Sequence, residues 1–475
     1  MKLTQFSRSE KERIHEASLD VLATVGVEVP HPETLGRFAA SGAKVDRERK
    51  RVFIPAELVE KSLKTAGKRF TLYGRDKSRQ AHFGRGMRNY NSIAGEALWL
   101  EEDTMTRRYA MLADVVTATR LGDALSGINI VGAMADPSDA PRAVQDVLIA
   151  AAMIKNTTKP ITFWFGNRAS GAFISEILIA LAGSEKKAAA KPLTYNFLEP
   201  ISPLKFAFNG IDLLYEFARF PLPVSIGPMA QAGATGPVTL VGTMVQENAE
   251  ILAGVCITQL IREGTPVCYG GIPHTMDMRT TQMVFAGPEQ ALMAVGMVEM
   301  AKFYRLPVYI NVGLTDSKVP DAQAGLECGM TLLAGALAGA DIFGHMGICG
   351  VDQATSLSML VMQNEIIEYI ERIMSGVEVN DNTLAVDVIK EVAPRAGANY
   401  LAEPHTAENL RAEHWFPKLL DRQFFDAWRS GGMKDMAARC KETKELLLRE
   451  HVVEPIDEKL EKEIDKITAA AVKSV

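Results

Sequence analysis

Short apolar runs recur along the chain from about residue 127, and each leads into small or polar residues and then into a segment with helical periodicity. The spacing between runs, about 30 to about 43 residues, suits a strand followed by a helix rather than a β-hairpin. Seven such units predict a parallel α/β fold. The runs begin at Ile128, Ile161, Leu193, Val224, Val267, Val308 and Ile342.

An eighth strand would close this repeat into a (β/α)8 TIM barrel. Two stretches are candidates for that strand, Asn399–Ala402 and Tyr90–Ile93. A doubly wound open sheet is the alternative architecture. The barrel is favoured because the repeat is regular and because no GxGxxG motif follows the first strand.

The stretch from Pro223 to Thr275 shows the unit most clearly, as strand, loop, long helix and strand. Its loop, Met229–Gly236, is rich in Ala and Gly, which let a ligand or a partner approach the backbone closely. We therefore expect binding at the mouth of this unit.

Residues 1–88 do not follow the strand–helix repeat. They are predicted to form an N-terminal α+β cap before a barrel at 89–405. Polar caps, proline and glycine predict three helices, and a charged-tip hairpin is expected between the last two. The predicted elements are helices at Ser7–Val25, Pro32–Ala40 and Ala56–Ala66, a hairpin at Ala43–Ile54, and strands at Phe70–Tyr73 and Gln80–Phe83.

The C-terminal residues 406–475 are predicted to form a helical extension. Thr406 is the expected N-cap of a helix at Glu408–Trp415 that Pro417 stops. The charged helical tail after Met433 suits packing or oligomerisation better than chemistry, so a homo-oligomer is expected.

Composition excludes several classes of protein. The 475 residues are 47% apolar and 23% charged with a net charge of −6, and no basic stripe suits nucleic acid. The five cysteines stand without paired spacing, as in a reducing compartment. The N-terminus lacks the apolar core of a signal peptide, and no apolar run reaches the roughly 18 residues of a membrane helix. We expect a cytoplasmic protein that contacts neither membrane nor nucleic acid.

Polar and aromatic side chains follow nearly every predicted strand, at the end where TIM barrels carry their chemistry. Loop polarity alone accounts for part of this pattern. The strand-end residues are Trp164, Asn196, Glu199, Met229, Gln231, Tyr269, His274, Asn311, Asp316, Lys318 and His345.

Three separated stretches resemble the trimethylamine methyltransferase family, and the resemblance covers almost the whole chain. They are GPMAQAGATGPVTLVGTMVQENAEILAG from Gly227, TDSKVPDAQAGLECG from Thr315 and HTAENLRAEHWFPKLLDR from His405. The resemblance implies a TIM barrel that moves a methyl group from a methylated amine to the cobalt of a separate corrinoid (cobalamin) protein. No tightly bound cofactor is then expected in this chain.

Some members of that family carry pyrrolysine and act on trimethylamine, whereas others lack it and act on quaternary amines. This chain runs through Asn311–Asp321, where the pyrrolysine position is expected, with ordinary residues only. Displacing a methyl group from a quaternary ammonium releases a neutral tertiary amine and needs no acid. Glycine betaine is the first candidate substrate. Proline betaine, carnitine and trimethylamine are alternatives, as is a non-catalytic betaine-binding barrel.

A quaternary ammonium has no N–H, so its site must use apolar and aromatic faces, each ring contributing roughly 0.5–2 kcal/mol. Trp164, Phe165 and Tyr269 are the candidate rings, with Tyr90 or Phe197 as further ones. A betaine carboxylate needs donors such as His274, His345 or Arg411. These rings could equally fill the top layer of the barrel, and the histidines could be ordinary hydrogen-bonded ones.

We assign three residue groups from these considerations. The predicted catalytic residues are His345, Asp316 and Lys318. The predicted substrate-binding residues are Trp164, Asn196, Glu199, Gln231, Tyr269, His274, Asn311, His345 and His405. The predicted contacts to the corrinoid are Met229, Gly233, Ala234, Thr235, Gly313 and Gly347.

Other chemistries have weaker support. Lys318 could serve a barrel aldolase as a Schiff-base amine, or it could form a structural ion pair with Asp316. No CxxC, HxC or HExxH motif is present, so no metal is expected. His345 with Cys328 and Cys349 could be assembled into a zinc site, but lone cysteines are more often part of the core. Phosphate binding at residues 344–350 (GHMGICG) is a weak possibility by analogy with other barrels.

Overall fold

The structure is a computed structural model that describes residues 2–475. Its N-terminal part contains the three predicted helices, the predicted hairpin and the two predicted strands, so these local patterns are confirmed. The elements are α1 (Arg8–Thr24), β1 (Val27–Glu28), α2 (Pro32–Ala40), β2 (Lys44–Asp46), β3 (Arg51–Phe53), α3 (Ala56–Thr65), β4 (Phe70–Tyr73) and β5 (Gln80–Phe83).

The middle of the chain alternates strands and helices, with short extra strands in the connecting loops. In chain order the elements are β6 (Asn89–Ser92), β7 (Leu98–Glu101), β8 (Thr106–Tyr109), α4 (Leu112–Ala124), β9 (Val131–Gly132), a 3₁₀ turn (Arg142–Val144), α5 (Gln145–Asn156), β10 (Ile161–Thr162), α6 (Arg168–Ala182), α7 (Glu185–Ala190), β11 (Asn196–Leu198), β12 (Pro200–Ile201), β13 (Lys205–Phe206), α8 (Phe208–Phe217), β14 (Val224–Ile226), β15 (Gln231–Ala232), α9 (Leu240–Ile261), β16 (Val267–Gly270), β17 (His274–Asp277), β18 (Gln282–Val284), α10 (Pro288–Tyr304), β19 (Val308–Ile310), α11 (Ala322–Ala338), β20 (Ile342–Met346), β21 (Ile348–Cys349), β22 (Ala354–Thr355) and α12 (Leu357–Ser375).

Eight of these strands, β6, β9, β10, β11, β14, β16, β19 and β20, form a closed parallel barrel. Six of them hydrogen-bond in the order β11-β14-β16-β19-β20-β6, and β9 pairs with β10. A bridge between Asn91 and Ile130 joins β6 to β9. The Ile161 N–H donates to the Leu193 carbonyl at 3.1 Å and joins β10 to the segment that enters β11. The (β/α)8 prediction is confirmed.

The eighth strand is the Tyr90–Ile93 candidate, which comes first in the barrel as β6. The other candidate, Asn399–Ala402, lies in a turn and joins no strand. Parallel pairing with β20, in the register Ile342 with Asn89, decides between the two stretches. The local sequence pattern could not distinguish the two stretches, because both are short.

The β4–β5 hairpin plugs the amino-terminal end of the barrel. Phe70 stacks on Phe83 with ring centroids 4.2 Å apart. The plug packs against an interior cluster that includes Tyr195, Cys268 and Tyr309. Because this end is filled with apolar side chains, access to the interior is from the carboxyl ends of the strands.

Helix α9 is mostly apolar and is buried on nearly all sides, as expected for a helix enclosed by protein. It is long and apolar enough to span a membrane by length and composition, but 72% of its most apolar window is buried inside the protein. Helices α1, α2 and α3 pack on it. We therefore regard α9 as a core helix.

Beyond the barrel, six further helices make up the C-terminal part: α13 (Asp381–Leu384), α14 (Val386–Val392), α15 (Pro404–Glu413), α16 (Phe425–Ser430), α17 (Met436–Glu450) and α18 (Glu458–Lys473). The predicted helix at Glu408–Trp415 is wrong at its start. Pro404 occupies the first turn of α15 and Glu403 is its N-cap. Thr406 instead donates its hydroxyl to the Tyr400 carbonyl. The boundaries of cap, barrel and extension stay a prediction.

Candidate active site

The carboxyl ends of β10, β11 and β14 surround a cavity of about 490 Å³ at the barrel mouth. The aromatic side chains of Phe165 and Phe197 form part of its wall. Four residues predicted from strand ends also line it, namely Trp164, Glu199, Met229 and Gln231, and so does Thr235 of the Met229–Gly236 loop. The strand-end argument therefore brings these four residues to one cavity, and their roles stay a prediction.

Four aromatic rings form a closed set beside this cavity. The Trp164 indole meets the Phe197 ring edge-on at 5.8 Å between centroids and the His345 ring at 6.0 Å. The Tyr309 ring lies 5.4 Å from Phe197 and 5.8 Å from His345. Each ring thus has two ring neighbours, and the set spans the barrel from β10 and β11 to β19 and β20.

His345 joins these rings through an unusual backbone conformation. Its φ of +75° is in the left-handed region, which non-glycine residues seldom adopt. On β20, Ile342 packs in the barrel interior and Phe343 stacks outside on Tyr90, so strict alternation would turn His345 outward. Gly344 is required here, because an added Cβ would overlap the Tyr309 hydroxyl.

The His345 imidazole is neutral at physiological pH. Burial, with a smaller contribution from the neighbouring His274 ring, lowers the pKa of His345 to about 3. Burial likewise lowers the pKa of His274 to about 4. Both rings can therefore offer one N–H donor and one acceptor, but no positive charge.

Side-chain alternation on β11 separates two predicted residues. Tyr195 and Phe197 pack in the barrel interior, and Glu199 follows on the same face. Asn196 has the opposite parity and is buried on the outer face, where its amide nitrogen lacks a partner. The prediction that Asn196 binds substrate does not fit this position.

The prediction that Tyr269 and Tyr90 form part of a cage does not fit the structure either. Tyr269 is fully buried and donates its hydroxyl to Asn248 of α9 at 2.8 Å. Tyr90 donates its hydroxyl to Glu371 of α12. Both rings face the helix layer because they stand at outward-facing strand positions.

A cluster of four carboxyl groups lies at the mouth, at Glu96, Asp136, Glu199 and Asp352. Glu96 and Asp352 lie within hydrogen-bond reach of each other, and the charge of Asp352 acts on both Glu96 and Glu199. Burial, reinforced by Asp352, raises the pKa of Glu96 to about 10 and that of Glu199 to about 7. Burial raises the pKa of Asp136 to about 6. Glu199 still opens onto the cavity, where water reaches it.

This carboxyl cluster contacts the aromatic rings. The Trp164 indole N–H donates to the Gly95 carbonyl at 3.1 Å, next to Glu96 in sequence. An added Cβ at Gly95 would contact both the Asp136 carboxylate and the Trp164 ring. Glu199 lies close enough to Tyr309 to raise its pKa. Among residues 2–475, no basic side chain contributes to the shifted pKa values of these four carboxyl groups.

Buried polar side chains without partners line the interior behind the rings. Within the described part of the chain, neither nitrogen of His274 and neither side-chain polar atom of Asn311 has a partner of good hydrogen-bond geometry. The same is true of the Tyr309 hydroxyl. Buried polar groups are normally paired, so these three mark a place for a polar ligand or water. His274 is held by stacking on Phe285, with centroids 4.8 Å apart.

Asp316 supports His274 indirectly, through Phe285. Its carboxylate accepts the Phe285 N–H at 2.8 Å, and Phe285 is the ring on which His274 stacks. Lys318 is exposed and donates its ammonium to the Asp316 carbonyl at 2.8 Å. The structure therefore places Asp316 in a supporting position and Lys318 on the surface, so neither fits a direct catalytic role.

A Schiff-base lysine would also need to be buried in the active site. Lys159 is buried, but it lies before β10 at the closed end of the barrel. Its ammonium donates to the carbonyls of Gly122, Leu125 and Ile128 at 2.9, 2.6 and 2.8 Å. Burial lowers its pKa to about 7. Its donors are all used, so its role is to hold the closed end together.

The residues predicted to meet the corrinoid fall into two groups. Gly233, Ala234 and Thr235 form a tight turn at the mouth, in which the Thr235 hydroxyl accepts the Gln231 N–H at 2.9 Å. Gly313 and Gly347 are buried instead, and their N–H groups donate to Thr331 and Gln363. The prediction does not fit these two glycines, because a docked protein could not reach them.

His405 lies outside the barrel mouth. It is on α15, where its imidazole pairs with the Asn382 carbonyl at 3.0 Å, so a substrate-binding role does not fit. Arg411 is on the same exposed helix.

Cysteine positions agree with a core role. All five cysteines are buried and free. The thiols of Cys328 and Cys349 donate to the Leu314 and Ala354 carbonyls at 3.4 Å. Throughout residues 2–475, the structure contains no group of three or more His, Cys, Asp or Glu side chains arranged to hold a metal.

Sequence reasoning missed three of the four clustered acids, Glu96, Asp136 and Asp352. Asp136 follows β9 by four residues and could have been found by the strand-end argument used elsewhere. Glu96 follows β6 in the same way, but the position of that strand was undecided from sequence. Asp352 lies in a loop after β20 with φ of +60°, which no sequence signal marks.

Comparison with known proteins gives one family. The family model described as Trimethylamine methyltransferase (MTTB) matches residues 1–474. The chain is 32% identical to trimethylamine methyltransferase MttB1 of Methanosarcina acetivorans, over 100% of this chain and 96% of the relative. It is 32% identical to a glycine betaine methyltransferase of Desulfitobacterium hafniense, over 89% of this chain and 88% of the relative.

Solved structures give the same fold. The monomethylamine methyltransferase MtmB of Methanosarcina barkeri aligns with a TM-score of 0.52 at 10% identity, covering 100% of this chain and 88% of that one. A hydroxylamine complex of MtmB aligns with a TM-score of 0.53 at 10% identity, with the same coverage. At this identity the likeness concerns architecture only.

Proposed function

The chain belongs to the trimethylamine methyltransferase family, and from this premise we propose that it demethylates a quaternary amine, with glycine betaine as first candidate. The acceptor would be the Co(I) centre of a partner corrinoid protein. The family and a relative named as a glycine betaine methyltransferase support the reaction class and the amine substrate. The choice of a quaternary amine depends on the chemistry of the site.

One observation carries this choice, namely a set of aromatic rings beside a cluster of carboxyl groups without basic partners. A quaternary ammonium is a permanent, weakly hydrated cation. It is attracted both to the faces of aromatic rings and to nearby carboxylates. Trp164 and Phe197 line the cavity on one side, and Glu199 lies on the same wall. A bound cation would compensate the negative charge that otherwise raises the pKa of these acids.

The other end of glycine betaine is a carboxylate, and the barrel interior behind the rings offers neutral donors for it. Asn311 has a free amide, and His274 has ring nitrogens without partners. Because both are buried, a hydrogen bond from them to a carboxylate would be worth more than one at the surface. The methyl groups would then face outward to the mouth.

The residues of this chain would position the substrate rather than activate it chemically. A corrinoid supplies a Co(I) nucleophile, to which the methyl group passes while the electron pair of the C–N bond stays on nitrogen. The product amine leaves neutral, so the site requires no proton donor. A neutral His345 is compatible with this requirement.

A partner would approach the open end of the barrel over the turn at residues 231–236. Apolar side chains are exposed there, with Val238 at 69%, Met278 at 57% and Val241 at 47%. Gly233, with φ of +91°, keeps this turn free of a side chain that would collide with Met278. Exposed apolar groups at a mouth suit a protein partner.

The test is methyl transfer to reduced free cob(I)alamin, followed by absorbance, with glycine betaine, proline betaine, carnitine, choline and trimethylamine as donors. We expect transfer from one quaternary amine and none from trimethylamine. Transfer from trimethylamine alone would overturn the choice of substrate. If no amine donates a methyl group, either to free cob(I)alamin or to the native corrinoid protein, the proposed methyl transfer is overturned. A non-catalytic betaine-binding protein would then be favoured.

A further inference from the structure

A long C-terminal segment has little core of its own. We call residues 376–433 the arm. Within it only Val392 and Leu419 are buried, and helices α13, α15 and α16 bury no residue. Large apolar side chains stand in solvent instead, with Phe424 at 92%, Leu401 at 87% and Val377 at 81% exposed. Short helices are rarely stable without tertiary packing, so we expect the apolar side chains of the arm to pack against another surface.

The same chain carries an unfilled apolar groove of about 790 Å³ between α11 and α12. We call it the α11–α12 groove. Its walls include Leu333, Met362, Ile366, Ile370 and Ile373. Met330, which also lines it, is 62% exposed.

Two glycines make the groove suitable for a helix. Gly325 and Gly329, one turn apart on α11, line it, and an added Cβ at either would meet no atom within 4 Å. A glycine in a helix interior destabilises that helix, and within the part of this chain that the structure describes no packing neighbour requires a glycine at either position. Contact with another helix would account for both glycines. A flat surface allows the backbone of a second helix to approach closely.

The arm's own ends border the groove without filling it. The arm leaves α12 two residues after Ile373, and its returning end is fixed where the Lys418 and Leu419 N–H groups donate to Glu365 at 3.0 Å. Arg372 donates to the Glu413 carbonyl at 2.7 Å. The middle of the arm is braced internally by Asn382 and Asn409. The arm is therefore held beside its own groove, with its apolar side chains turned to solvent.

We propose that two copies of this chain exchange arms, so that the arm of each copy lies in the α11–α12 groove of the other. A two-fold contact of this kind covers both apolar surfaces of both chains with one symmetry operation. Neither surface contributes a side chain to the cavity at the barrel mouth. The inference therefore does not depend on the proposed reaction.

The first test measures the mass of the full-length protein by sedimentation velocity at micromolar concentration. We expect a dimer or a higher even oligomer. Met330→Glu and Gly329→Leu should dissociate it, the first by placing a charge in the interface and the second by filling the groove. An added Cβ at Gly329 meets no atom within 4 Å and Met330 is 62% exposed, so folding should be kept. Leu292→Glu, at a position of α10 that is 52% exposed, is the matched control and should leave the mass unchanged.

The second test locates the arm. Leu401→Cys and Met330→Cys variants are purified separately, mixed under dissociating and then native conditions, and oxidised. A disulfide between the two different chains is expected, since the native cysteines are all buried. A monomeric wild-type protein would overturn the proposal. So would an oligomer that the groove variants leave intact, or a disulfide that forms only within one doubly substituted chain.

Discussion

The His345 imidazole lies edge-on to the Trp164 indole, with centroids 6.0 Å apart and planes at 82°. The two residues come from strands far apart in sequence, β20 and β10, and the left-handed backbone at His345 makes the contact possible. The indole is in turn tied to the Gly95 carbonyl, beside the carboxyl cluster. Ring faces and negative charge thus meet at one wall of the cavity.

If Trp164 binds the ammonium, its loss should affect charged ligands most. We expect Trp164→Leu to weaken glycine betaine binding by about 1–2 kcal/mol, the size of a desolvated cation–π contact. Calorimetric titration with glycine betaine and with the uncharged-head isostere 3,3-dimethylbutanoate gives the measurement. Trp428→Leu, on α16, serves as control. An equal loss for both ligands would mean that the indole only fills space.

Substrate binding should tighten with pH as the carboxyl cluster ionises. Partial desolvation at the mouth, with Asp352 beside Glu199, raises the pKa of Glu199 to about 7, and burial raises that of Asp136 to about 6, so their negative charge is gained between about pH 6 and 8. We expect the KM for glycine betaine to fall across this range. Glu199→Gln should raise KM about tenfold at pH 8, part of the roughly 4 kcal/mol of a close ion pair at intermediate dielectric being offset by desolvation.

The same substitution should flatten the pH profile of KM. Glu176→Gln, at an exposed position of α6, is the control and should keep the profile of the native protein. A Glu199→Gln variant with an unchanged profile would assign the pH dependence to another group.

Removing the Tyr309 hydroxyl should cost activity but not stability. That hydroxyl is buried without a good partner, so Tyr309→Phe should keep the free energy of unfolding or raise it by up to about 1 kcal/mol. The matched control is Tyr304→Phe, because the Tyr304 hydroxyl pairs with Asn248 at 2.9 Å and His15 at 3.0 Å. That variant should lose about 1 kcal/mol and keep its activity. Urea unfolding and steady-state rates decide between the two patterns.

The buried histidines should make the fold sensitive to mild acid. Their pKa values, about 4 for His274 and about 3 for His345, lie below the value near 6.5 expected in the unfolded chain. Between about pH 6.5 and 4 the unfolded state binds protons that the folded state refuses, so stability falls as pH falls. Each histidine should account for roughly 2 kcal/mol of loss at pH 5.

This dependence is measured by urea unfolding at pH 7 and pH 5. A His274→Asn/His345→Asn double variant should show a shallower loss between these values than the native protein. Acids with raised pKa act in the opposite direction, since their contribution is lost as pH rises, so the comparison between variants is the decisive quantity. Equal slopes would show that neither histidine is buried in neutral form.

Lys318 should be dispensable. Its ammonium is exposed and bonds only to the Asp316 carbonyl, and surface changes of this kind shift free energies by about 0.5 kcal/mol at most. Lys318→Ala should therefore keep kcat/KM within about a factor of two. A loss of activity, or trapping of a carbonyl compound by borohydride at this lysine, would restore a catalytic role for it.

Several features of the protein followed from sequence alone because each depends on local or periodic pattern. Regular strand–helix spacing predicted the barrel, and the strand-end argument predicted that Trp164, Glu199, Met229 and Gln231 would lie at its mouth. Turn and cap residues predicted the N-terminal helices and the β2–β3 hairpin. The three family stretches by themselves implied the reaction class.

Other features were decided only by tertiary structure. Which short stretch closes the barrel depended on pairing with β20, and the outward positions of Asn196 and Tyr269 depended on the register of β11 and β16. The left-handed turn at His345 and the meeting of Glu96, Asp136, Glu199 and Asp352 arise from loops distant in sequence. Strand register and contacts between residues distant in sequence leave no local periodic signal. The composition of the site could therefore be described only from the tertiary structure.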